Sequence, residues 1–258
     1  MFHKIAIIGT GNVGVWLLKT LQYKNNIPVT AFSSRNIKIV PPDFDLYIFA
    51  LKDEIYNDVL QDIPFKLPNA VHTSGSLSQT ILSPFSKNNG VLYPYQSITN
   101  YTLKIAEHIN YKDDIKMIVP VCVEGSDMEF ENALFHWASS VFEMVHRVSE
   151  KQRFAMHLAA IFANNFTNAM YSIAYQIFKE NNIEWSLIFP LLENSLNKTK
   201  LGDPRLSQTG PAVRNDSIIM EKHCIAIENK KYRELYLLIS EIIQYQNVLC
   251  RGMGETFE

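Results

Sequence analysis

The sequence predicts an α/β Rossmann-like N-terminal domain with a mostly parallel sheet, followed by an all-α C-terminal domain with a long spine helix. Two observations support this prediction. Up to residue 148, short apolar runs that are typical of buried strands alternate with helical segments. From Ser149 onward the pattern is helical. We therefore place one domain at residues 1–148 and a second at residues 149–258.

The composition is that of an ordinary globular protein. Of 258 residues, 47% are hydrophobic and 19% are charged, which argues against disorder. The net charge of −2 offers no basic field for nucleic acid. The cysteines (Cys122, Cys224 and Cys250) are far apart, which fits a reducing compartment and gives no metal site. With no signal peptide and no apolar run of about 18 residues, we expect a cytoplasmic protein without a membrane span.

A glycine-rich turn follows the first predicted strand. The apolar run Ile5–Ile8 is followed by Gly9, Gly11 and Gly14 in the spacing GxGxxG, and residues 13–21 predict a helix. This order suits a dinucleotide phosphate site, because the glycines permit a tight turn and a close backbone approach, and the helix N-terminus carries partial positive charge. The predicted phosphate-binding residues are Gly9, Thr10, Gly11, Asn12, Val13 and Gly14. The alternative is an ordinary strand–turn–helix whose glycines serve packing only.

The end of the second predicted strand indicates which dinucleotide binds. Residues 28–32 form that strand, and Ser33, Ser34 and Arg35 follow it. A site for NAD usually has an acidic residue here, which accepts hydrogen bonds from the ribose 2′-hydroxyl. Two hydroxyls and a guanidinium suit a 2′-phosphate instead. The sequence therefore favours NADP, the alternative being a polar turn with a solvated Arg35.

The remaining strands define the ligand edge of the sheet. Strands are predicted at residues 45–51, 70–73, 90–97, 116–119, 121–124 and 142–148, with a helix at 128–139 and no room for a crossover helix at 36–43. Ligands bind at the carboxyl ends of parallel strands. We therefore add Ala50, Leu51, Lys52, Ser74 and Gly75 to the cofactor site. Asp53 is assigned as the cap of a helix over residues 54–62.

The C-terminal half is predicted to be helical. Ser149 and Gln152 form a capping box, and the helix that follows can continue to about residue 179, a span of roughly 45 Å. Such a helix usually forms the spine of a bundle or a dimer interface. Three more helices are predicted at residues 183–197, 216–229 and 231–245. The polar loop at residues 202–214 is more typical of function than of packing.

Several segments resemble one known family, whose C-terminal half is called domain of unknown function 2520. It is grouped with NADP-dependent oxidoreductases related to pyrroline-5-carboxylate reductase and the deazaflavin-dependent NADP reductases. The matching segments are residues 9–14, 72–76, 93–97, 120–125, 157–165, 190–193 and 209–216. The resemblance implies an NADP-binding N-terminal domain, an all-helical C-terminal domain and a homodimer formed through it. It implies no substrate.

Candidate catalytic groups follow from the needs of hydride transfer, in which the protein positions the nicotinamide and polarises the acceptor. The Ser74 hydroxyl and the adjacent N–H groups can hold the carboxamide or a substrate oxygen. His72 lies two residues earlier and would point the same way in an extended strand. It is a candidate proton donor with a pKa suited to neutral pH. The alternative is a hydrogen-bonded core histidine.

Further candidates lie in the helical half. Asn164 or Asn165 can orient a carbonyl or imine, the alternative being a helix–helix hydrogen bond at a dimer interface. Related β-hydroxyacid dehydrogenases place a lysine four residues before such an asparagine, where this chain has Ala160 and Ile161.

In the loop, Thr209 and Arg214 are the best candidates, because Arg214 can bind a substrate carboxylate in a forked geometry. The alternative for Arg214 is a salt bridge with Asp203 or Asp216. The favoured hypothesis is an NADP-dependent oxidoreductase that acts on a small carbonyl or imine substrate bearing a carboxylate, at a cleft between the two domains. The alternative is a catalytically silent NADP-binding regulatory or sensor protein.

Overall fold

The computed structural model describes residues 2–25, 28–100 and 118–252. The chain forms two compact units, Met1–Phe166 and Thr167–Glu258. The change from strands to helices after residue 148 precedes this division, because the first helix beyond it packs against the sheet and belongs to the first unit.

The first unit contains a seven-stranded sheet in the order β2-β1-β3-β4-β5-β6-β7. Its strands are β1 Ile5–Ile8, β2 Val29–Phe32, β3 Leu46–Phe49, β4 Leu67–His72, β5 Ser86–Pro94, β6 Val121–Gly125 and β7 Val145–Arg147. Strands β1 to β5 run parallel, β6 is antiparallel to β5, and β7 is parallel to β6. The predicted Rossmann-like, mostly parallel sheet is confirmed.

Both faces of this sheet are covered. In β1, Ile5 and Ile7 pack toward helices α1 (Asn12–Asn25) and α3 (Met128–Val141). Ala6 and Ile8 pack toward the opposite face, where a short 3₁₀ turn and helix α2 (Tyr56–Gln61) lie. All four β1 side chains are fully buried, as expected for a central parallel strand between two layers. The glycine turn that follows β1 is therefore anchored on a rigid element.

Two predictions about the chain between the strands need correction. Asp53 does not cap a helix: it belongs to a 3₁₀ turn, Asp53–Ile55, that precedes α2, and its flanking residue Lys52 makes no side-chain cap bond. The strand predicted at 116–119 begins outside the described residues, and Ile118 and Val119 themselves are not in a strand.

The long helix begins where predicted but is not α-helical throughout. Helix α4 (Glu150–Ala160) starts at a complete capping box between Ser149 and Gln152. A six-residue π-helical segment, Ile161–Phe166, follows. It contains Asn164 and Asn165. Since π-helical segments often occur at functional sites, this interruption draws attention to the two asparagines.

The second unit is helical, as predicted. Its helices are α5 Thr167–Glu180, α6 Phe189–Thr199, α7 Ser217–Ala226 and α8 Lys230–Gly252. Among its described residues, only Ala212, Ser240 and Cys250 are buried. Many large apolar side chains of this unit are exposed, including Leu187, Leu191, Ile225 and Tyr245. In the part of the chain that the structure describes, no helix has the length and apolar character needed to cross a membrane.

Candidate active site

The three glycines of the turn after β1 have different roles. Gly9 has φ +120°, and a Cβ there would lie 2.2 Å from the Ala50 carbonyl oxygen. A Cβ on Gly14 would lie 1.9 Å from the Gly9 carbonyl oxygen. Gly11 has no atom within 4 Å of such a Cβ. Gly9 and Gly14 therefore permit the tight turn and the close packing, whereas Gly11 leaves an open approach to the backbone.

The ends of β2 and β3 lie beside this turn. The Gly9 N–H donates to the Phe32 carbonyl oxygen, and the Ala50 N–H donates to the Ile8 carbonyl oxygen, both at 2.8 Å. Ser33, Ser34 and Arg35 follow Phe32 directly, and Arg35 is exposed. The Ser33 hydroxyl accepts a 3.4 Å hydrogen bond from the Arg35 N–H. The first turn of α1 contains no acidic residue, so no carboxylate of that turn opposes a phosphate at the helix N-terminus.

The loop after β4 is held by a hydrogen-bond network centred on Ser74. The Ser74 hydroxyl donates to Asp53 Oδ2 at 3.1 Å and accepts from the N–H groups of Ser76 and Leu77, each at 3.1 Å. The Ser76 hydroxyl also donates to Asp53 Oδ2. The oxygen of Ser74 is thus occupied in shaping the loop, and the role of Asp53 is to fix this loop.

His72 is a core residue rather than a proton donor at neutral pH. Its side chain is fully buried. Its Nδ1 accepts from the Ser74 N–H at 3.2 Å, and its Nε2 donates to the Ser78 carbonyl oxygen at 3.3 Å. Burial, with the positive charge of Arg153 as the second cause, lowers the pKa of His72 to about 4. The prediction of a pKa suited to neutral pH is therefore wrong, because burial and the nearby Arg153 charge both disfavour the imidazolium.

A buried ion pair that the sequence did not reveal supports the same loop. Arg153 is fully buried, its Nη1 donates to the Ser74 carbonyl oxygen at 3.1 Å, and its Nη2 lies 3.3 Å from Glu124 Oε2. Burial raises the pKa of Glu124, and Arg153 opposes this shift. Nothing in the local sequence distinguishes Arg153 from a surface residue of an amphipathic helix. Its function depends on β6 and the β4 loop, which are distant in sequence.

A cavity of about 500 Å³ lies within the first unit. The cavity is lined by the end of the glycine turn, the β4 loop, the end of β5 and the π-helical segment. The lining residues are Val13, Leu51, Asp53, Thr73, Ser74, Gly75, Ser76, Tyr93, Pro94, Tyr95, Gln96, Ser97, His157, Ala160, Ile161, Ala163, Asn164 and Asn165. The structure therefore brings the predicted Ser74, Gly75, Asn164 and Asn165 together with Val13 and Leu51.

Three predicted catalytic residues, His72, Thr209 and Arg214, are not among these lining residues. Thr209 and Arg214 belong to the second unit, where both are exposed. The acidic residues considered as partners of Arg214 make other contacts. Asp203 pairs with Arg205, and Asp216 caps α7 by accepting from the Ile219 N–H at 3.2 Å.

One further polar pair lines the cavity. The hydroxyl of Tyr93, at the end of β5, lies 3.1 Å from Nδ1 of His157 on α4. Burial raises the pKa of Tyr93 to about 12, so the phenol stays protonated at neutral pH. Both residues fall in segments that carry the family resemblance, which is the signal in the sequence that points to them.

A known protein family matches part of this chain. Residues 119–243 match the domain of unknown function DUF2520. The resemblance found in the sequence is therefore confirmed over that range. No curated protein sequence matches the chain.

Solved structures extend the likeness over nearly the whole chain. A candidate NADP oxidoreductase from Bacteroides fragilis is 28% identical with a TM-score of 0.81, covering 94% of this chain and 98% of that one. An imine reductase from Myxococcus stipitatus in complex with NADP⁺ is 12% identical with a TM-score of 0.59, covering 97% and 95%. A 1-pyrroline-5-carboxylate reductase from Streptococcus pyogenes is 15% identical with a TM-score of 0.52, covering 94% and 98%. The last two comparisons concern the fold alone.

Proposed function

We propose that this protein is an NADP-dependent oxidoreductase that transfers a hydride to or from a small carbonyl or imine substrate. One observation carries the proposal. Val13 and Leu51, which belong to the predicted dinucleotide site, line the same cavity as Tyr93, His157 and Asn164. A dinucleotide seated on the glycine turn would therefore extend toward a cavity that presents several polar groups and is large enough for a small substrate.

The residues present fit NADP. Gly11 leaves the turn open for the pyrophosphate. Ser33, Ser34 and Arg35 offer hydroxyl and guanidinium donors to a 2′-phosphate, beside the turn and without a competing carboxylate in the first turn of α1. When bound, the nicotinamide would supply or accept the hydride. The chain's own task is to orient the acceptor and exchange a proton with it.

The orientation of the acceptor is assigned to the π-helical segment. Asn164 and Asn165 present amide groups that can donate to a carbonyl oxygen or accept from a protonated imine. We propose that the substrate also bears a carboxylate, and Arg214 stays a predicted carboxylate-binding residue on chemical grounds alone. Arg214 is exposed, and a guanidinium can bind a carboxylate through two parallel hydrogen bonds.

We further propose a homodimer formed through the helical unit. Residues 167–250 contain very few buried side chains, and large apolar residues are exposed on α6 and α8 (Leu191, Leu196, Leu237, Leu238, Ile242 and Val248). Exposed apolar surface of this kind usually marks a protein interface. Light scattering of the purified chain should give twice the monomer mass of 29.6 kDa, and a monomer at micromolar concentration would contradict this part of the proposal.

The function is tested in two stages. Titration with NADPH, followed by its fluorescence, should show saturable binding that is tighter than that of NADH. Oxidation of NADPH is then measured at 340 nm with a panel of cyclic imines and 2-keto acids. Turnover of one panel member supports the oxidoreductase. Absence of NADPH binding contradicts the proposal, and binding without turnover across the panel favours the silent NADP sensor.

A further inference from the structure

We propose that the Tyr93 hydroxyl is the proton donor of this reaction and that His157 resupplies the proton. The inference rests on the proposed function and assigns a chemical step to two residues for which sequence patterns alone predict no role. Reduction of a C=N or C=O bond adds a hydride to carbon and a proton to the heteroatom. The chain must therefore present a proton donor to the cavity.

The geometry of the pair supports this role. Tyr93 and His157 both line the cavity, with the hydroxyl oxygen 3.1 Å from Nδ1. Their rings meet edge to face with centroids 6.2 Å apart. Tyr93 is held on the sheet and is only 8% exposed, whereas His157 is half-buried on α4. The pair is therefore fixed by two rigid elements and still reaches the cavity.

The β4 loop fixes the imidazole from the other side. A Cβ on Gly75 would lie 2.6 Å from Nδ1 of His157, so the ring occupies the space that a larger residue would fill. The preceding carbonyl, that of Ser74, is held by Arg153. Because the buried Arg153 holds the β4 loop in place, the loop restricts the position of the His157 imidazole.

The direction of the hydrogen bond depends on the charge of His157. In the neutral ring, Nδ1 can accept a hydrogen bond from the Tyr93 hydroxyl, whose hydrogen then points at the imidazole. In the imidazolium, both ring nitrogens carry protons, so Nδ1–H donates to the Tyr93 oxygen. The hydroxyl hydrogen is then free to point toward a substrate.

When His157 is protonated, every proton that the substrate gains in this step is accounted for. The O–H bond of Tyr93 breaks as an N–H or O–H bond forms on the substrate, while the Nδ1 proton of His157 moves to the phenolic oxygen. Tyr93 ends neutral, and the imidazolium becomes neutral imidazole. The hydride comes from the reduced nicotinamide of the proposed function, so no other reductant is needed. Solvent then reprotonates His157.

Other titratable groups near the pair do not replace it. His72 is buried and neutral, and Asp53 lines the cavity with its carboxylate bonded to two serine hydroxyls. The ionisable groups that act on Tyr93 are Tyr95, Cys122 and Arg153. Burial raises the pKa of the Cys122 thiol, so the thiol is neutral at pH 7, and Arg153 is paired with Glu124. Among the described residues, His157 is thus the group placed to return a proton to the phenolic oxygen of Tyr93.

The first test uses the free, full-length protein. The imidazole of His157 is followed by NMR of ¹⁵N-histidine-labelled protein between pH 5 and 9, in wild type and in Tyr93→Phe. We expect Tyr93→Phe to change both the titration midpoint and the Nδ1 shift of His157. Tyr95→Phe, which also alters a phenol of the cavity, should leave the Nδ1 shift unchanged. An unchanged His157 titration in Tyr93→Phe would overturn the inference.

The second test uses the substrate found in the turnover panel, starting from 1-pyrroline as the cyclic imine and pyruvate as the keto acid. Tyr93→Phe should lower kcat by about 100-fold or more, which is the usual contribution of a general acid. NADPH affinity should stay within about twofold. The wild-type kcat should fall as pH rises, because loss of the imidazolium removes the proton source, and His157→Gln should lose this dependence. His136→Gln, at an exposed histidine of α3, should keep it.

The outcomes separate this inference from the proposed function. If wild type turns over no member of the panel, the proposed function fails and the inference fails with it. If wild type turns over a substrate and Tyr93→Phe keeps its kcat, only the inference fails. Circular dichroism establishes that each variant is folded, and Tyr93→Phe, which removes a single oxygen, remains informative if His157→Gln unfolds.

Discussion

Gly75 and His157 are packed so closely that a Cβ on Gly75 would lie 2.6 Å from Nδ1 and 3.0 Å from Cβ of His157. Gly75 has no positive φ, so the need for glycine here is one of space and not of backbone conformation. The sequence predicts Gly75 as a cofactor contact at the end of a strand. The structure adds a second reason for this residue, which is to admit the imidazole.

Gly75→Ala should therefore destabilise the protein by about 1–3 kcal/mol, as is usual when a close-packed site is overfilled. The free energy of unfolding is measured by urea denaturation followed by circular dichroism. When Gly75→Ala is made in the His157→Ala background, it should lower the free energy of unfolding much less than it does in wild type. The reason is that removing the ring creates the missing space. Strictly additive effects of the two substitutions would show that the two residues do not compete for space.

In contrast to Gly75→Ala, Gly11→Ala should leave stability almost unchanged and weaken NADPH binding. Nothing lies within 4 Å of a Cβ at this position, so the free energy of unfolding should change by less than about 0.5 kcal/mol. NADPH affinity should fall at least tenfold, because the added methyl group fills the open approach to the turn. Isothermal titration calorimetry gives the affinity. Gly14→Ala is the matched control, and its clash with the Gly9 carbonyl should instead lower stability. Unchanged NADPH affinity in Gly11→Ala would contradict the phosphate-site assignment.

Arg35→Asp should reverse the cofactor preference. The substitution removes a forked donor and adds a carboxylate, which repels a 2′-phosphate and accepts from a 2′-hydroxyl. Loss of hydrogen bonds to a charged group, worth about 1.5–3 kcal/mol, corresponds to about a 10- to 100-fold loss of NADPH affinity relative to NADH. Arg35→Lys keeps the charge without the fork and should lie between wild type and Arg35→Asp. If Arg35→Asp retains the wild-type ratio of affinities, Arg35 does not bind the 2′-phosphate.

The elements that the sequence predicts well are those governed by local pattern. The β1 run, the glycine spacing and the Ser149 capping box each define a structure within a few neighbouring residues, and all three are present. The π-helical segment at Ile161–Phe166 is not visible in the sequence, because its apolar residues recur with the same spacing as those of an α-helix. Local pattern therefore gives the position of the helix but not the local geometry of Asn164 and Asn165.

The site residues that escaped prediction depend on contacts distant in sequence. Asp53 accepts hydrogen bonds from Ser74 and Ser76, more than 20 residues away, and Arg153 donates to the carbonyl of Ser74 across 79 residues. Local pattern predicts a helix cap for Asp53 and no role for Arg153. The pKa of His72 is not predictable from local pattern for the same reason, since it depends on burial and on Arg153. Predicting these contacts requires knowledge of the order of the strands in the sheet, and no single segment of the sequence determines that order.

His72 should make the protein less stable as pH falls from about 6.5 to about 4. Its pKa is lowered from 6.5 to about 4 in the folded protein, so in this window the unfolded chain binds a proton that the folded chain does not. Stability therefore rises with pH through the window and is lost as pH falls. A shift of this size corresponds to about 3 kcal/mol. Urea unfolding measured at half-unit steps from pH 7 to pH 4.5 gives the dependence.

The same measurement on His72→Asn isolates this contribution. Asparagine does not titrate, and its side-chain oxygen can accept from the Ser74 N–H in place of Nδ1. Between pH 7 and pH 4.5, His72→Asn should lose about 2–3 kcal/mol less stability than wild type. His136→Asn, which removes an exposed histidine, should follow the wild-type curve. Glu124, whose pKa is raised by burial, acts in the opposite direction but is present in all three proteins, so it cancels in the comparison. Parallel curves for wild type and His72→Asn would mean that His72 is not held neutral by the fold.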